Sequence, residues 1–519
     1  MTTIDLRIIG TYELDDRNGG NLRNHLSERF AKDTLDEQSL IDMQESLRAK
    51  DLFMIIIDEV SNVSPHLLER VNQRLKQIRS CSLPFGGLCV LLVGDFLQKP
   101  PPGAISLVKG LMYMIVQHER NNKKDSPYRL SQKDPYPKVN VPSIKDMTSN
   151  TTMGLCTFKL FRLFMLKEQQ RASTDKEHTA ILEKLSQKHC KITINDLMIY
   201  KQLTKEDLNK QFANATFIVS TNRERSSICF HMAQFYAIRH NCPLIRWKLE
   251  VTKWLNRPSQ EEENDLLTKD PIFHDHFVPG MEGYLIENLN VALMIGNGTK
   301  IRYHSLSFKS KKEQKIVDRL IKKAKCGDVI DLDFPPQCIN VEIDQSSLTN
   351  AVKNQLQEFK IPLLDEESKE KIIIPILPMK NAPSTLKAQP TITTSACPNP
   401  SRAVIKPMFP LQLGSAVTVD KAQGRTIEKV IVCLSKRNSS ILEMDMNSIF
   451  VALSRVKKKE DLRLLLHGEN NHKEELQYIE DIAHDRMYFD YLNGFTEVGN
   501  KEPLIWNYNK ALRILDETA

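Results

Sequence analysis

Short apolar runs alternate with longer polar stretches over most of this 519-residue chain, and this alternation restricts the possible folds more than any other feature. The runs are rich in Ile, Leu and Val, and most are followed directly by polar residues. Such runs are typical of buried strands in a parallel sheet, with crossover helices formed by the stretches between them. The sequence predicts strands at 53–57, 89–93, 164–166, 216–219, 429–433 and 462–466. Open parallel sheets bind ligands beyond the carboxyl ends of their strands, so functional residues are expected there.

The region between about 240 and 410 has a different pattern. Lysines cluster at 309–315 and 322–325, and short strands interrupted by proline occur at 329–334 and 372–377. This pattern indicates a small, mostly β insertion. The lysines would suit nucleic-acid phosphates, although a charge cluster is more often the solvated face of a helix. Two polar stretches, at about 119–150 and 380–402, are expected to be loops.

Composition excludes several classes of protein. With 41% hydrophobic and 26% charged residues, the chain is neither disordered nor fibrous. Its net charge of +7 (72 basic minus 65 acidic residues) is compatible with an anionic partner without requiring one. The ten cysteines form no Cys-x-x-Cys pair and are expected to be reduced. No apolar run is long enough for a membrane span, and the first residues lack a secretory signal. We expect an intracellular protein, nuclear in the first instance, with mitochondrial or cytoplasmic location as alternatives.

The first candidate motif is the apolar run 55–57 followed by Asp58 and Glu59. In nucleotide hydrolases such a strand directs one carboxylate to the Mg²⁺ shell and the next to the attacking water. The alternative is a strand that leads into an acidic surface turn.

The second motif follows the apolar run 91–93 and reads Gly94-Asp95-Phe96-Leu97-Gln98, with prolines at 100–102. Because proline fixes φ, the loop that carries Gln98 should be stiff. A stiff loop suits a sensor of the γ-phosphate, whereas a simple proline-rich turn would not explain the polar residues.

Two further motifs lie towards the C-terminus. Residues 416–426 contain Lys421-Ala-Gln423-Gly424-Arg425-Thr426, and residues 450–456 place Ser454-Arg455 after a short apolar helix. The planar guanidinium of an arginine in such a position suits the charge on a transferring phosphate.

Taken in order, the four segments resemble the helicase motifs of the Pif-one branch of the Pif/RecD-like superfamily-one DNA helicases, which includes Helitron-type transposon helicases. Asp58-Glu59 resembles the Walker B pair, 94–98 motif III, 416–426 motif V, and 451–455 motif VI with its arginine finger. Residues 166–171, 221–222 and 297–299 are also similar to family segments.

The resemblance implies an α/β fold of the P-loop NTPase type, with two RecA-like parallel-sheet domains and a small β-rich insertion in the second. The implied boundaries are 1–165 for an incomplete first domain, 166–240 and 405–470 for the second, 241–404 for the insertion, and 471–519 for a helical C-terminal tail.

The resemblance also implies ATP and Mg²⁺ as cofactors, with single-stranded and forked DNA as partners of a monomer. The implied catalytic residues are Glu59, Gln98, Arg455 and, as a weaker candidate, Arg171. The implied nucleotide-binding residues are Asp58, which would hold Mg²⁺ through water, Asp95, Gln423 and Gly424. The implied DNA-binding residues are Lys421, Arg425 and Thr426.

The sequence departs from the family pattern in two places. None of its 19 glycines is followed by lysine, so the Gly-Lys-Ser/Thr of a phosphate-binding P-loop does not occur. Since 9–11 resembles the DNA-contacting motif just after that loop, we expect the sequence to begin inside the first RecA-like domain and ATP turnover to be weak. The second departure is Asp420, at a position where the family usually has histidine.

These features leave three functional hypotheses open. The first is an ATP-dependent DNA helicase that moves five-prime to three-prime on single-stranded DNA. The second is a non-catalytic nucleic-acid-binding derivative of a helicase or transposon. The third is an unrelated nucleotide hydrolase such as a GTPase, against which the segments at 423–426 and 452–455 argue.

Overall fold

A computed structural model describes most of the chain. The described residues are 52–122, 149–166, 168–187, 191–255, 257–290, 293–348, 350–358, 371–379, 386–388, 402–437, 443–466, 472–484, 486–498, 501–507 and 510. The resemblance at 9–11 and most of the two predicted polar loops therefore lie outside them.

The helices and strands are numbered in chain order. The helices are α1 (Pro65–Arg79), α2 (Leu107–Asn122), α3 (Ser149–Phe158), α4 (Lys176–Leu185), α5 (Ile194–Leu197), α6 (Lys205–Asn209), α7 (Asn222–Arg239), α8 (Gln260–Lys269), α9 (Lys311–Lys323), α10 (Asn350–Glu358), α11 (Val419–Ala422), α12 (Met446–Leu453), α13 (His472–Asp481) and α14 (Arg486–Asn493). The strands are β1 (Met54–Ile57), β2 (Cys89–Leu92), β3 (Lys201–Gln202), β4 (Thr216–Val219), β5 (Leu244–Lys248), β6 (Glu250–Leu255), β7 (His274–Phe277), β8 (Glu282–Leu285), β9 (Lys300–Ser307), β10 (Val329–Leu332), β11 (Cys338–Ile343), β12 (Ile373–Ile376), β13 (Leu386–Ala388), β14 (Arg402–Lys406), β15 (Leu411–Leu413), β16 (Ala416–Thr418), β17 (Val430–Cys433), β18 (Leu462–Leu465), β19 (Phe495–Val498) and β20 (Lys501–Trp506).

The first parallel sheet pairs β1 with β2, from Met54 opposite Cys89 to Ile57 opposite Leu92. Helices α1, α2 and α3 cover it and share its apolar core. Helix α1 begins at Pro65, where the Ser64 hydroxyl accepts from the Leu67 N–H and the proline occupies the first turn. The carboxyl ends of β1 and β2 therefore lie side by side, and so do the Asp-Glu and Gly-Asp turns that follow them.

The second parallel sheet has five strands in the order β16-β4-β17-β18-β3. Its central strand β17 is Val-Ile-Val-Cys, and all four residues are buried, as expected for a strand covered on both faces. Helix α7 starts with a capping box between Thr221 and Glu224. The predicted α/β class with two RecA-like parallel-sheet domains is thus confirmed.

Strands β5 to β15 form three further sheets, in the orders β10-β5-β7, β12-β11-β9-β8-β15 and β13-β14-β6. Most pairings within them are antiparallel. These strands extend to Leu413, past the predicted insertion end at 404. Pro375 lies in β12, an edge strand, where a missing N–H does no harm. The lysine clusters fall mainly on α9, whose one buried residue is Val317, so most of this helix is solvated.

Two sequence predictions of secondary structure are wrong. Residues 164–166 form no strand, and Leu166 is 92% exposed. That run is apolar, but none of the described strands pairs with it, and it connects the two parallel-sheet domains.

The C-terminal tail is not wholly helical, because β19 and β20 form an antiparallel hairpin after α13 and α14. Gly494 permits the close approach of Trp506, whose Nε1 would lie 2.4 Å from a Cβ at that position. Met487 and Tyr491 of α14 join the core of the first domain, while Phe489 joins that of the second. The tail therefore contacts both parallel-sheet domains.

Within the described residues, no helix combines the length and apolar character needed to cross a bilayer. The cysteines of the same residues are free thiols.

Candidate functional site

The turn after β1 presents two carboxylates in different ways. Glu59 adopts a left-handed backbone (φ 54°, ψ 48°), a conformation that costs a non-glycine residue of the order of 1 kcal/mol and is common at functional turns. The Asp58 carboxylate accepts from the Glu59 N–H at 2.8 Å, and its side chain remains exposed. The strained turn is fixed by the neighbouring strand, because the Val60 N–H donates to the Val93 carbonyl at 2.9 Å.

The Gly-Asp turn after β2 packs directly on that turn. Gly94 has a φ of 142°, and a Cβ there would lie 2.8 Å from the Val60 nitrogen, so only glycine fits. The Asp95 carboxylate accepts from the Leu97 N–H at 2.9 Å. Burial raises the pKa of Asp95 and the nearby Glu59 raises it further, while the Leu97 N–H and Arg455 oppose the shift. Asp95 thus lies within electrostatic reach of both Glu59 and Arg455.

The loop after α11 reaches the Glu59 carboxylate from the second domain. The buried Gln423 amide donates to the Ser61 hydroxyl at 2.6 Å and, more weakly, to the Glu59 carboxylate at 3.5 Å. Gly424 has a φ of 74°, and a Cβ on it would lie 2.6 Å from Glu59 Oε1. The two domains therefore meet at Glu59, and Gly424 is required for that close approach.

Arg455 is 2% exposed and is held by its own domain. Its guanidinium donates to the Val451 carbonyl at 2.8 Å, the Ser454 hydroxyl at 2.7 Å, and the carbonyls of Arg425 at 3.2 Å and Ala422 at 3.4 Å. Burial and the neighbouring Arg171 lower the pKa of Arg455 to about 10, against the opposing charges of Glu59 and Asp95. The side chain stays cationic at neutral pH and is fixed beside the cleft.

Arg171 approaches from the connection between the two domains. Its guanidinium donates to the Thr426 hydroxyl at 3.1 Å and to the Ser454 carbonyl at 2.8 Å. Burial lowers the pKa of Arg171, and the carboxylate of Glu59 partly offsets this. The structure therefore brings Asp95, Arg171 and Arg455 within electrostatic reach of Glu59, although these residues are far apart in the sequence.

Gln98 occupies a different part of the interface. It lines a cavity of about 90 Å³ between the two domains, which Ser61, Asn447 and Tyr488 also line. Its backbone carbonyl accepts from the Asn447 amide at 3.0 Å. Its side-chain Oε1 is buried and has no hydrogen-bond partner among the described residues. Buried polar atoms usually have a hydrogen-bond partner. This Oε1 atom is therefore placed to accept a hydrogen bond from a group such as water.

The residues at the cleft fit a magnesium–nucleotide complex. Two guanidinium groups within electrostatic reach of each other favour a polyphosphate, whose oxygens would accept their remaining N–H groups. The exposed Asp58 suits a magnesium ligand that acts through water. The described residues contain no cluster of three or more His, Cys, Asp or Glu that could hold a metal, so phosphate oxygens would supply further Mg²⁺ ligands.

The three predicted DNA-binding residues face different neighbours. The Lys421 ammonium donates to the Gln412 amide oxygen at 2.9 Å, and the Arg425 guanidinium lies 4.8 Å from the Tyr284 ring centroid. Desolvation and the charges of Arg225 and Arg425 lower the pKa of Lys421 to about 8. The side chain nevertheless reaches solvent. The Thr426 hydroxyl instead accepts from the Arg171 guanidinium, which lies within electrostatic reach of Glu59.

Sequence reasoning assigned no role to three residues that complete this arrangement. Ser61 receives the Gln423 amide, Ser454 contacts both arginines, and Tyr284 stacks on Arg425. Ser61 lies just after the Asp58-Glu59 pair and Ser454 lies within the motif at 451–455, but neither was assigned a role, because a lone serine carries no pattern of its own. Tyr284 is distant in sequence, so only the folded chain brings it to Arg425.

Two helicase family models match separate parts of the chain. The model of the "PIF1-like helicase" family matches residues 33–106, and that of the "Viral superfamily 1 RNA helicase core domain" matches residues 348–462. The ATP-dependent DNA helicase Pif1 of Psychrobacter sp. is 40% identical over 77 residues, which are 14% of this chain and 12% of that protein. PIF1 of Candida albicans is 43% identical over 54 residues, 10% of this chain and 6% of that protein. The matched segments thus cover a small part of these relatives.

Solved structures of Pif1 helicases also align with the chain. Candida albicans Pif1 aligns at 17% identity and a TM-score of 0.45, covering 94% of this chain and 84% of that one. A Bacteroides Pif1 in complex with ADP-AlF3 and ssDNA aligns at 15% identity and a TM-score of 0.49, covering 93% and 82%.

Proposed function

We propose, from the premise that the chain is a Pif1-like superfamily-one helicase, that it is an ATP-dependent DNA helicase translocating five-prime to three-prime on single-stranded DNA. The observation that carries this proposal is the meeting of the two parallel-sheet domains at Glu59. One domain supplies Glu59 itself, and the other brings Gly424, Gln423 and Arg455 towards it. A cleft closed by two such domains can couple a change in the nucleotide to a movement between them.

Each residue at the cleft has a role that its surroundings support. Asp58 would hold Mg²⁺ through a water molecule, and Glu59 would orient the attacking water and take up its proton. Arg171 and Arg455 would stabilise negative charge on the transferring phosphate, since both are cationic, partly or wholly buried and within electrostatic reach of Glu59. Gln98 would sense the terminal phosphate through its loop. Magnesium supplies Lewis-acid stabilisation of the phosphates when it is bound.

We further propose that ATP turnover by this polypeptide is weak. The sequence contains no glycine followed by lysine, so the backbone cradle and lysine that normally hold the β and γ phosphates are missing from these 519 residues. Asp58, Glu59 and the two arginines would then act on a loosely held nucleotide.

The proposed DNA path crosses the junction between the second domain and the β insertion. Arg425 stacks on Tyr284 there, and Lys421 lies within electrostatic reach of Arg425. Cations beside an aromatic ring form the combination that grips a single strand by its phosphates and bases. Single-stranded and forked DNA are the proposed substrates, and the nucleus the proposed compartment.

The test is DNA-stimulated ATP hydrolysis together with unwinding of forked DNA that carries either a five-prime or a three-prime tail. Glu59→Gln should reduce turnover at least tenfold, while the matched control Glu206→Gln, on an exposed helix outside the cleft, should leave it unchanged. Unwinding should require the five-prime tail.

A non-catalytic DNA-binding protein is the second candidate, favoured by the same missing Gly-Lys sequence. This candidate predicts that the protein binds single-stranded DNA but shows no ATP turnover that is lost on Glu59→Gln. That result would reject the helicase proposal for this polypeptide.

A further inference from the structure

The loop that carries Gln98 belongs to both domains at once. Phe96 packs against the core of the first domain, whereas Leu97, 6% exposed, is part of the core of the second. The loop therefore cannot follow one domain without losing contacts to the other. Which domain it follows when the cleft opens depends on the polar contacts at its end.

Two such contacts tie the loop to the start of helix α12. The Asn447 amide donates to the Gln98 carbonyl at 3.0 Å, and the Lys99 ammonium forms an ion pair with Asp445 at 3.1 Å. Asp445 is itself fixed, because its carboxylate caps α12 by accepting from the Ser448 N–H at 2.7 Å and from the Ser448 hydroxyl at 2.6 Å.

The same helix leads to the arginine at the cleft. Helix α12 is almost entirely buried and ends at Leu453, followed directly by Ser454 and Arg455. A short, buried helix moves as a rigid body, so its two ends shift together. A displacement at Arg455 is thereby transmitted to Asp445 and Asn447.

The C-terminal tail closes the cavity behind the loop. Tyr488 lines the cavity together with Gln98, and the Tyr491 ring lies 6.4 Å from that of Phe96 in an edge-on arrangement. The buried, unpartnered Oε1 of Gln98 shows that this side chain has no fixed partner of its own among the described residues. Its position is therefore set by the backbone contacts of its loop.

We propose that Asp445 and Asn447 are positioning residues for Gln98, and that they make its loop follow the second domain when the cleft opens or closes. Opening would withdraw Gln98 and Arg455 from the rest of the first domain in one step. The role given to Gln98 rests on the proposed function, but the attachment of the loop to α12 does not.

Hydrogen–deuterium exchange of the amides of Leu97, Gln98 and Lys99 tests the attachment without requiring activity. Lys99→Met combined with Asn447→Ala should speed exchange of these amides roughly fivefold, because one hydrogen bond and one partly exposed ion pair are lost. Lys99→Arg, which keeps the ion pair, should exchange as the unaltered protein does. Lys210→Met, which breaks an exposed pair on α6, is the matched control and should change nothing at the loop.

Unchanged exchange in the double variant would overturn the proposal. Exchange that rises equally in helices far from the loop would also overturn it, because that result means general destabilisation. If the unaltered protein hydrolyses ATP, the double variant should lower kcat with KM unchanged, and an unchanged kcat would contradict the positioning role. Absence of turnover in the unaltered protein would count against the proposed function alone, since the exchange result still decides the attachment.

Discussion

Replacing Arg455 should destabilise the second domain, whatever its effect on catalysis. The guanidinium makes three hydrogen bonds of 2.7 to 3.2 Å and a fourth of 3.4 Å, all to groups of its own domain. Arg455→Met fills much of the same volume but leaves three backbone carbonyls without this donor. At about 1 kcal/mol net for each of the three shorter bonds, the loss is roughly 3 kcal/mol.

The assay is hydrogen exchange of the amides in β17, which lies at the centre of the second sheet and exchanges only when that domain opens. A loss of about 3 kcal/mol speeds this exchange by roughly two orders of magnitude, since about 1.4 kcal/mol corresponds to a factor of ten. Arg319→Met is the matched control, because Arg319 is exposed on α9. It should shift the free energy of unfolding by less than about 0.5 kcal/mol.

Equal exchange in the Arg455 and Arg319 variants would refute this reasoning. It would mean that the guanidinium is free to move and that its bonds to the backbone contribute nothing to the domain. A destabilised Arg455 variant, by contrast, shows that loss of activity on its replacement is not by itself evidence for a role in catalysis.

Four other substitutions, one of them a control, test separate parts of the structure. Gly424→Ala and Gly87→Ala should each lower the free energy of unfolding by about 1 kcal/mol, because both glycines have positive φ, as urea unfolding would measure. Only Gly424→Ala places a methyl group 2.6 Å from the Glu59 carboxylate. This variant alone should therefore lower ATP turnover, by roughly a hundredfold. Equal turnover in the two variants would contradict the contact between Gly424 and Glu59. Burial and, to a smaller extent, the charge of His274 lower the pKa of His276 from 6.5 to about 3. Between these pH values His276 is therefore protonated in the unfolded chain and neutral in the folded chain. The free energy of unfolding should therefore fall as the pH falls through this window. His276→Gln should reduce the slope of this fall by about 1.4 kcal/mol per pH unit, as measured by urea unfolding at several pH values. Identical slopes in the variant and the unaltered protein would contradict this prediction. Because burial lowers the pKa of Lys421 to about 8, the affinity for single-stranded DNA should decline between pH 7 and about 9. Lys421→Gln should remove this pH dependence when binding is measured by fluorescence anisotropy. A pH profile that the substitution leaves unchanged would count against contact between Lys421 and DNA.

Predictions from the sequence succeed where local pattern decides the structure. The runs at 53–57, 89–93, 216–219, 429–433 and 462–466 contain strands β1, β2, β4, β17 and β18, because buried parallel strands require continuous apolar side chains. The run at 164–166 is also apolar, yet it forms no strand, and none of the described strands pairs with it. The hairpin of β19 and β20 was missed because its residues lack clear alternation, and its stability comes from packing around Tyr491 and Trp506.

The candidate site divides in the same way. Asp58, Glu59 and Asp95 follow strands and were predictable from position, since the carboxyl ends of adjacent parallel strands meet at one edge. The contact between Gly424 and Glu59 joins residues from different domains, and no local signal encodes it.

The sequence by itself determined the two parallel sheets, the residues at their carboxyl ends and the lack of a Gly-Lys phosphate loop in these 519 residues, since each depends on neighbouring residues alone. Only the tertiary structure decided that Arg455 is held by four acceptors, that Thr426 contacts Arg171, and that the tail packs on both domains. The physical reason is that these contacts join segments up to several hundred residues apart. Their formation depends on how whole domains pack, which short-range propensity does not specify.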